Sequence, residues 1–423
     1  MAQLTDDCFA FSGPLLPIPD MERMIAERVR PVSETGTVNL AGARGRVLAA
    51  DVIAPLDLPP FDNSAVDGYA VRHRDLDPQG ETRLAVTGRL TAGSAAATPL
   101  RAHEAIRIFT GAPMPRGADT VFMQEDVRTE GDAVIVPPGL KPGANRRLAG
   151  EDVQKNSLLL PAGRRLAAQD VALAAAVGLT SLTMRRKVRV ALFSTGDEIV
   201  DPGKPRPAAA LYDANRFLLD GMLERLSADV TDLGILKDDP AALQAAIAEA
   251  ARDHDLVLTS GGVSTGEADH VRDAIEKIGK LVFWRVAIKP GRPVAMGVVP
   301  GGSAGAAAFV GLPGNPVAAF ITFARVVRPL FLRLAGAAPE PLTALPVRLA
   351  FAYKKKTGRR EYVRVALRPA ADGTVEAFKH PQDGAGVLTS LTETDGLAEF
   401  PENTTTVEAG STVGFLSYAT LMG

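Results

Sequence analysis

The spacing of apolar residues changes character several times along the chain. Met21, Met24, Ile25 and Val29 fall on one face of a helix that Asp20 can cap. From Asp51 to Asp152, short β-type runs such as Leu84-Ala85-Val86 and Ala133-Val134-Ile135-Val136 alternate with Gly/Pro turns. That texture predicts a compact, mostly β insertion over 51–152. An alanine-rich helix follows at Leu166 to Val177. The helical pieces over 15–50 and 153–186 are expected to pack together as a linker, with the β unit budding between them.

Residues 187–336 alternate strands with helices. Val188 to Phe193, Val230 to Leu236, Leu256 to Leu258 and the short run Phe309-Val310 read as strands. Between them, Asp213 can cap a helix through Phe217, Leu218, Met222 and Leu226. Asp239 and Pro240 start a second helix with Leu243 and Ile247, and Val271, Ile275 and Ile278 mark a third that Gly279 stops. Asn315 and Pro316 open a long helix that Gly336 closes. The alternation predicts a parallel sheet covered on both faces. Over 337–423 the helical signals vanish. Val347 to Phe351 and Tyr362 to Leu367 alternate, which predicts a small β-barrel or sandwich.

Composition narrows the options. A chain of 423 residues exceeds one hydrophobic core. A formal net charge of -2 argues against a nucleic-acid or polyanion binder, so any anion must be held by a local site. The single cysteine, Cys8, precludes an internal disulfide and fits a reducing cytoplasm; it reads as a bystander in a frayed tail. Asp6 and Asp7, with no basic residue up to Ala10, do not make a secretory signal. Val171 to Leu179 is far shorter than the ~20 residues that span a bilayer. Val317 to Leu334 is interrupted by Arg325, Arg328 and Arg333 and reads as a buried helix.

Chemistry concentrates where the expected strands end, the place where open parallel sheets bind ligands. Ser194-Thr195-Gly196-Asp197-Glu198, Lys237-Asp238-Asp239 and "SGGVSTGEADH" (260–270) are acidic; Gly311-Leu312-Pro313-Gly314-Asn315-Pro316 is neutral. Gly261, Gly262 and Gly266 allow close backbone approach, while Ser264 and Thr265 bring hydroxyls suited to phosphate. Glu267 and Asp269 do not suit a bare phosphate site. They suit a divalent cation lying between them and the anion, with Asp238 and Glu198 joining through water. Taken singly, Asp239 and Asp269 also read as helix caps. Arg285, Lys289 and Arg292, in a turn stiffened by Pro290 and Pro293, add cations beside the acids. In the β insertion, "PPFDNSAVDGYAVR" supplies Asp62, Asp67, Asn63, Ser64 and Tyr69, "FTGAPMPRGADTV" adds Thr110, and "RRLAGEDV" adds Arg146, Arg147, Glu151 and Asp152. The five histidines show no zinc spacing, and no Walker A loop is present. "GVSTG" matches a nucleophile-elbow pattern, but Ser264 lies well past its strand end. His270 reads as a surface helix residue.

"FDNSAVDGYAVR", "TGAPMPRGADTVFMQED", "GED", "FSTGDEI", "YDANR", "LTSGGVSTGEADH", "AIKPGRP" and "GLPGNP", in that order from about residue 50 to 320, resemble the molybdopterin molybdenumtransferase family (MoeA and the E domain of gephyrin). The resemblance implies insertion of molybdenum from molybdate into adenylylated molybdopterin, with Mg2+-dependent hydrolysis and release of AMP. It implies a multidomain α/β plus β fold: an elongated chain with a three-layer α/β/α molybdopterin-binding-like domain, a mostly β insertion domain, a helical linker domain and a C-terminal small β-barrel. It also implies a homodimer whose composite cleft joins the sheet and last domains of one chain to the β insertion of its partner. Molybdopterin adenylyltransferase and molybdoenzyme maturation factors are the partner proteins it suggests; no nucleic acid or membrane partner is expected. By matching motifs, function is carried onto Asp67, Thr110, Asp152, Glu198, Asp238 and Asp269, with Glu198, Asp238 and Asp269 as Mg2+ ligands. Gly261, Gly262, Ser264, Gly266, Lys289, Pro290, Pro313, Pro316, Arg147 and Arg364 would line the cofactor site. Lys289 would help hold the oxyanion.

The chain departs from that pattern at Arg285, where some relatives have Lys, and at Ala318 and Ala385, where some carry Ser. Oxyanion binding would then rest on backbone N–H groups, with Arg364 as a helper. Two other classes share such a sheet domain: nucleotide amidases or pyrophosphatases, and gephyrin-like scaffolds.

Overall fold

The computed structural model describes residues 4, 8–9, 15–94, 99–261, 270–291, 293–301 and 305–422. The chain begins with helix α1 (Ile18–Arg28). Pro17 precedes it and Asp20 sits inside its first turn, bonded to Arg23, instead of capping it. The apolar face of α1, with Ile18, Met21, Met24 and Ile25, does not meet α2 (Ala168–Ala176). It packs against the far helix of the sheet domain, while α2 covers a separate small core of Leu48, Leu166, Leu182 and Met184. The expected helix pair is therefore replaced by a β pair. Thr35–Asn39 runs antiparallel to Ser181–Arg185, closing the chain at the neck of the insertion. Cys8 is no bystander. Cys8 and Phe9 are buried in the sheet-domain core, where the Trp284 indole donates to the Phe9 carbonyl at 2.8 Å.

The insertion carries a six-stranded sheet in the spatial order Thr120–Met123, Gly68–Val71, Glu104–Ile108, Thr82–Leu90, Ala133–Val136, Arg128–Glu130. Only the Thr82–Leu90 and Glu104–Ile108 pair is parallel.

The central domain is a sheet of six strands. They are β1 (Arg189–Thr195), β2 (Asp229–Leu236), β3 (Leu256–Ser260), β4 (Lys280–Arg285), β5 (Pro293–Pro300) and β6 (Ala306–Leu312), in the order β2-β1-β3-β6-β5-β4. Alternate residues of each strand face opposite layers. Val190 and Leu192 join the core formed with α1, helix α3 (Asn215–Arg225) and the long C-terminal helix; Ala191 and Phe193 join α4 (Pro240–Asp253) and α5 (His270–Ile278). Asp239 caps α4 as expected, accepting from the Ala242 N–H at 2.7 Å. Asp213 sits one residue further out; it bonds Arg216 without being the cap of α3.

The sheet is mixed, not wholly parallel. β5 runs antiparallel to β6 and to β4, and the sequence pattern marks neither β4 nor β5 as a strand. Two strands joined without a helix leave no alternation to detect, and the prolines at both ends of β5 resemble turn signals. The long helix is one continuous rod, α6 (Pro316–Thr322), a π turn at Phe323–Val327 and α7 (Arg328–Leu334). Pro329 has no N–H to donate back to residue 325, and the widened turn lies where that bond is lost.

The last domain resolves the barrel-or-sandwich choice. Strands β7 (Leu345–Leu349), β8 (Arg360–Pro369), β9 (Val375–Lys379), β10 (Gly396–Phe400) and β11 (Thr412–Ser417) run β8-β9-β7-β11-β10, and β10 pairs back to β8. The barrel closes around Leu349, Val365, Phe400 and Phe415. No helix among the described residues is long and apolar enough to cross a membrane.

Candidate active site

Four parallel strands end at one edge. Thr195 is level with Leu236, Ser194 with Ser260, and Ser260 with Leu312. The segments leaving that edge are 196–198, 237–239, the loop from Gly261 and 313–315. From β1 the chain crosses to β2 on one side and later to β3 on the other. Such a reversal opens a crevice between the two strand ends, here β1 and β3, and ligands of open α/β sheets lie there. The convergence expected from sequence is thus present. Gly262, Ser264, Gly266 and Asp269, which carry much of the expected anion and cation chemistry, lie outside the described residues, as do Glu267 and Arg292.

Gly261 shows why the crevice needs glycine. Its φ is +89°, and a Cβ there would lie 2.7 Å from the Thr195 carbonyl. β1 and β3 therefore approach too closely at their ends for any side chain. Gly261→Ala is expected to lower the melting temperature by about 3–8 °C, from strain of roughly 1–3 kcal/mol, and to cut turnover at least tenfold by prising the strand ends apart. A calorimetric scan with an unchanged melting temperature would show that the backbone relaxes freely there.

Asp238 sits at the end of β2 with Oδ1 buried and, among the described residues, without a hydrogen-bond partner. Burial pushes its pKa up; His270 at the start of α5 opposes this, and the neighbouring Asp197 and Glu198 add to it. An unpartnered buried carboxylate oxygen facing two more acids is costly unless a cation completes it. Among the described residues no three His, Cys, Asp or Glu side chains form a metal cage. The donor set nonetheless fits Mg2+, which takes one or two carboxylates and fills its other positions with water and substrate phosphate.

On the other side of the crevice, Asn215 acts as a clamp that the sequence did not reveal. Its Nδ2 donates to Ser260 Oγ and to the Gly314 carbonyl, both at 2.7 Å. Ser260 Oγ in turn reaches the Pro313 carbonyl at 3.3 Å. One amide thus fixes the end of β3 against the Pro313 turn. Its neighbour Arg216 bonds Asp201, Asp213 and Asp232, which anchors the start of α3. The only signal was the position of Asn215 in "YDANR", directly before an arginine that pairs with acids.

Pro316 opens α6 as expected, but the Asn315 side chain makes no cap bond. Instead the Val317 N–H donates to the Ala385 carbonyl of the barrel at 3.0 Å. Arg364, on β8, is buried, and burial lowers its pKa. Its guanidinium holds the same barrel loop from inside, donating to Ser390 Oγ (3.0 Å), the Gln382 carbonyl (2.9 Å) and the Gly384 carbonyl (3.1 Å). Lys289, followed by Pro290, reaches Glu361 of the barrel. The barrel therefore closes the rim from the β6 side.

Asp67, Thr110, Arg147 and Asp152 lie in the insertion. Asp67 Oδ1 accepts from both the N–H and the hydroxyl of Thr110 at 2.8 Å, and these two bonds lower its pKa. Arg147 is exposed on a short strand paired with Asn63, and Asp152 is exposed at the neck. Among the described residues, no hydrogen bond or ion pair joins 52–152 to 187–422. Within one chain the structure brings together Glu198, Asp238, Gly261, Pro313 and Pro316, with Lys289 and Arg364 at the barrel contact. It does not tie the insertion residues to them.

The architecture defines a three-layer α/β/α domain whose parallel strands end at one edge, carried between two β units. Three family models cover most of the chain: the MoeA N-terminal region (domains I and II) over 16–178, a probable molybdopterin binding domain over 191–333, and the MoeA C-terminal region (domain IV) over 346–418. A molybdopterin molybdenumtransferase of Haemophilus influenzae is 36% identical over 97% of this chain and 100% of its own length. One from Nostoc is 36% identical over 90% and 88%. A solved MoeA protein from Pyrococcus horikoshii, 28% identical, superposes with a TM-score of 0.76 over 96% of this chain and 100% of that one. The chain belongs to the MoeA family of molybdopterin molybdenumtransferases.

Proposed function

We propose that the chain inserts molybdenum from molybdate into adenylylated molybdopterin, with Mg2+-dependent hydrolysis of the nucleotide anhydride and release of AMP. The observation that carries this reading is the buried Asp238 oxygen, unpartnered among the described residues, beside Asp197 and Glu198 at an edge where four strands end. In this reading Glu198, Asp238 and Asp269 hold Mg2+, which supplies shielding of phosphate charge and polarisation of the anhydride. Gly261, Gly262, Ser264 and Gly266 receive phosphate, and Pro290, Pro313 and Pro316 line the crevice. Lys289 attracts the oxyanion, and Arg364 acts through the loop it holds. With Ser absent at 318 and 385, backbone N–H groups supply the remaining oxyanion contacts. The acids orient the attacking water, so no side-chain nucleophile is required.

Asp67, Thr110, Arg147 and Asp152 reach the crevice from the insertion of a second copy, in a homodimer. Exposed apolar residues support this: Phe61 and Leu148 near them on the insertion, and Leu211, Tyr212 and Phe217 beside the rim. The test is release of AMP from adenylylated molybdopterin with and without molybdate. AMP is expected only when molybdate is present. Release of nicotinate or AMP from a dinucleotide would favour an amidase or pyrophosphatase, and neither activity together with tight binding to a receptor peptide would favour a scaffold.

A further inference from the structure

The contact between barrel and sheet domain contains a carboxylate that the reaction as proposed does not use. Ile288–Lys289 pairs in parallel with Arg360–Glu361 at the start of β8, and the Arg360 N–H donates to the Ala287 carbonyl at 2.8 Å. Glu361 is 1% exposed. Its Oε2 accepts from the Tyr353 hydroxyl at 2.7 Å and from Lys289 Nζ at 3.1 Å. Its Oε1 has no hydrogen bond among the described residues, and the Arg359 guanidinium stands 3.8 Å away. A carboxylate this deep is costly unless a charge pairs with it, and Lys289 is the ammonium in hydrogen-bond reach. Lys289 itself is half-exposed. An ammonium has three donors. One is spent on Glu361, which leaves two for a ligand on the open side.

The turn that follows cannot hold Lys289 by flexing. Gly291 has φ +102°, and a Cβ there would collide with Thr322 Oγ1 of α6. The turn is thus pressed against α6 while the lysine tip is tied to the barrel. We infer that Glu361 is a positioning residue: from the barrel, with Tyr353 as its second anchor, it fixes the Lys289 ammonium at the rim for binding the oxyanion. This rests on the reading of Lys289 given above. Glu361 itself touches no substrate; it decides where one positive charge stands, so it should govern affinity for the anion and not the chemical step.

The test is Glu361→Gln, which keeps shape and an acceptor for Tyr353 but removes the charge. KM for molybdate is expected to rise about 5–10-fold, with kcat within about twofold and KM for adenylylated molybdopterin unchanged. In a Lys289→Ala background the same change should have no further effect. Glu361→Asp, which keeps the charge on a shorter arm, should fall between. A second readout does not depend on the reaction: acylation of Lys289 by an amine-reactive ester at fixed pH, followed by peptide mass spectrometry. Loss of the carboxylate releases the amine from its tether to the barrel, so labelling should quicken about threefold or more in Glu361→Gln. Unchanged labelling in folded Glu361→Gln and Glu361→Asp overturns the inference. Faster labelling with an unchanged molybdate KM keeps Glu361 as the anchor of Lys289 and removes the oxyanion role from Lys289.

Discussion

Asp238→Asn is expected to lose turnover at least a hundredfold while the cation-free protein melts about 1–3 °C higher. The two effects have one cause. Oδ1 of Asp238 is buried without a partner among the described residues, and burial, then Asp197 and Glu198, raise its pKa despite His270. A carboxyl whose folded value is raised favours the fold while protonated. That benefit is complete below the ordinary carboxylate range and is lost as pH climbs through the folded value. At neutral pH the ionised group therefore burdens the fold unless a cation sits on it. Asparagine removes the burden and the cation site together, the trade-off typical of functional carboxylates. Melting curves with and without Mg2+ check this: the wild type should gain from Mg2+ and the variant should not. A variant that melts lower and retains turnover would make Asp238 a structural residue.

Two variants, each inactive alone, should restore activity when mixed. Asp67→Asn removes a charge from the insertion, and Asp238→Asn removes one from the sheet rim. The asparagine oxygen can still accept from Thr110, so the loop should keep its shape. If each crevice takes its insertion residues from the second copy, a mixed dimer holds one site with both faults and one intact. Half of the dimers in an equal mixture are mixed, so co-refolded protein should recover about a quarter of wild-type turnover. No recovery is the outcome if each chain completes its own site. The Leu211→Asp, Phe217→Asp double variant should give folded monomer without turnover, because both side chains lie exposed beside the rim.

Much of this architecture was legible in the chain. The starts of α4 and α6, and the end of α5, were marked by local signals: Asp239 with Pro240, Asn315 with Pro316, and Gly279. The convergence of strand ends followed from alternation of strand and helix, since parallel strands joined by crossovers must end on one side. The β4–β5 pair escaped because antiparallel neighbours need no helix between them. The partner of α1 escaped because amphipathic spacing shows that a face is buried and not what buries it. The same holds for Cys8 and Phe9. At the site, residue types at strand ends pointed to the acids, whereas Asn215 and Glu361 act through contacts across domains that no local pattern encodes. Glu361 in particular lies in a strand buried on both sides at that point, so alternation of polar and apolar residues fails there.

The central claim is that ligand phosphate and cation meet where β1, β2 and β3 end. A crystal soaked with AMP, Mg2+ and molybdate tests it directly. Density is expected between the segments after Thr195, Leu236 and Ser260, with the metal on Asp238. Density confined to the β insertion, with the Asp238 carboxylate left bare, would contradict it.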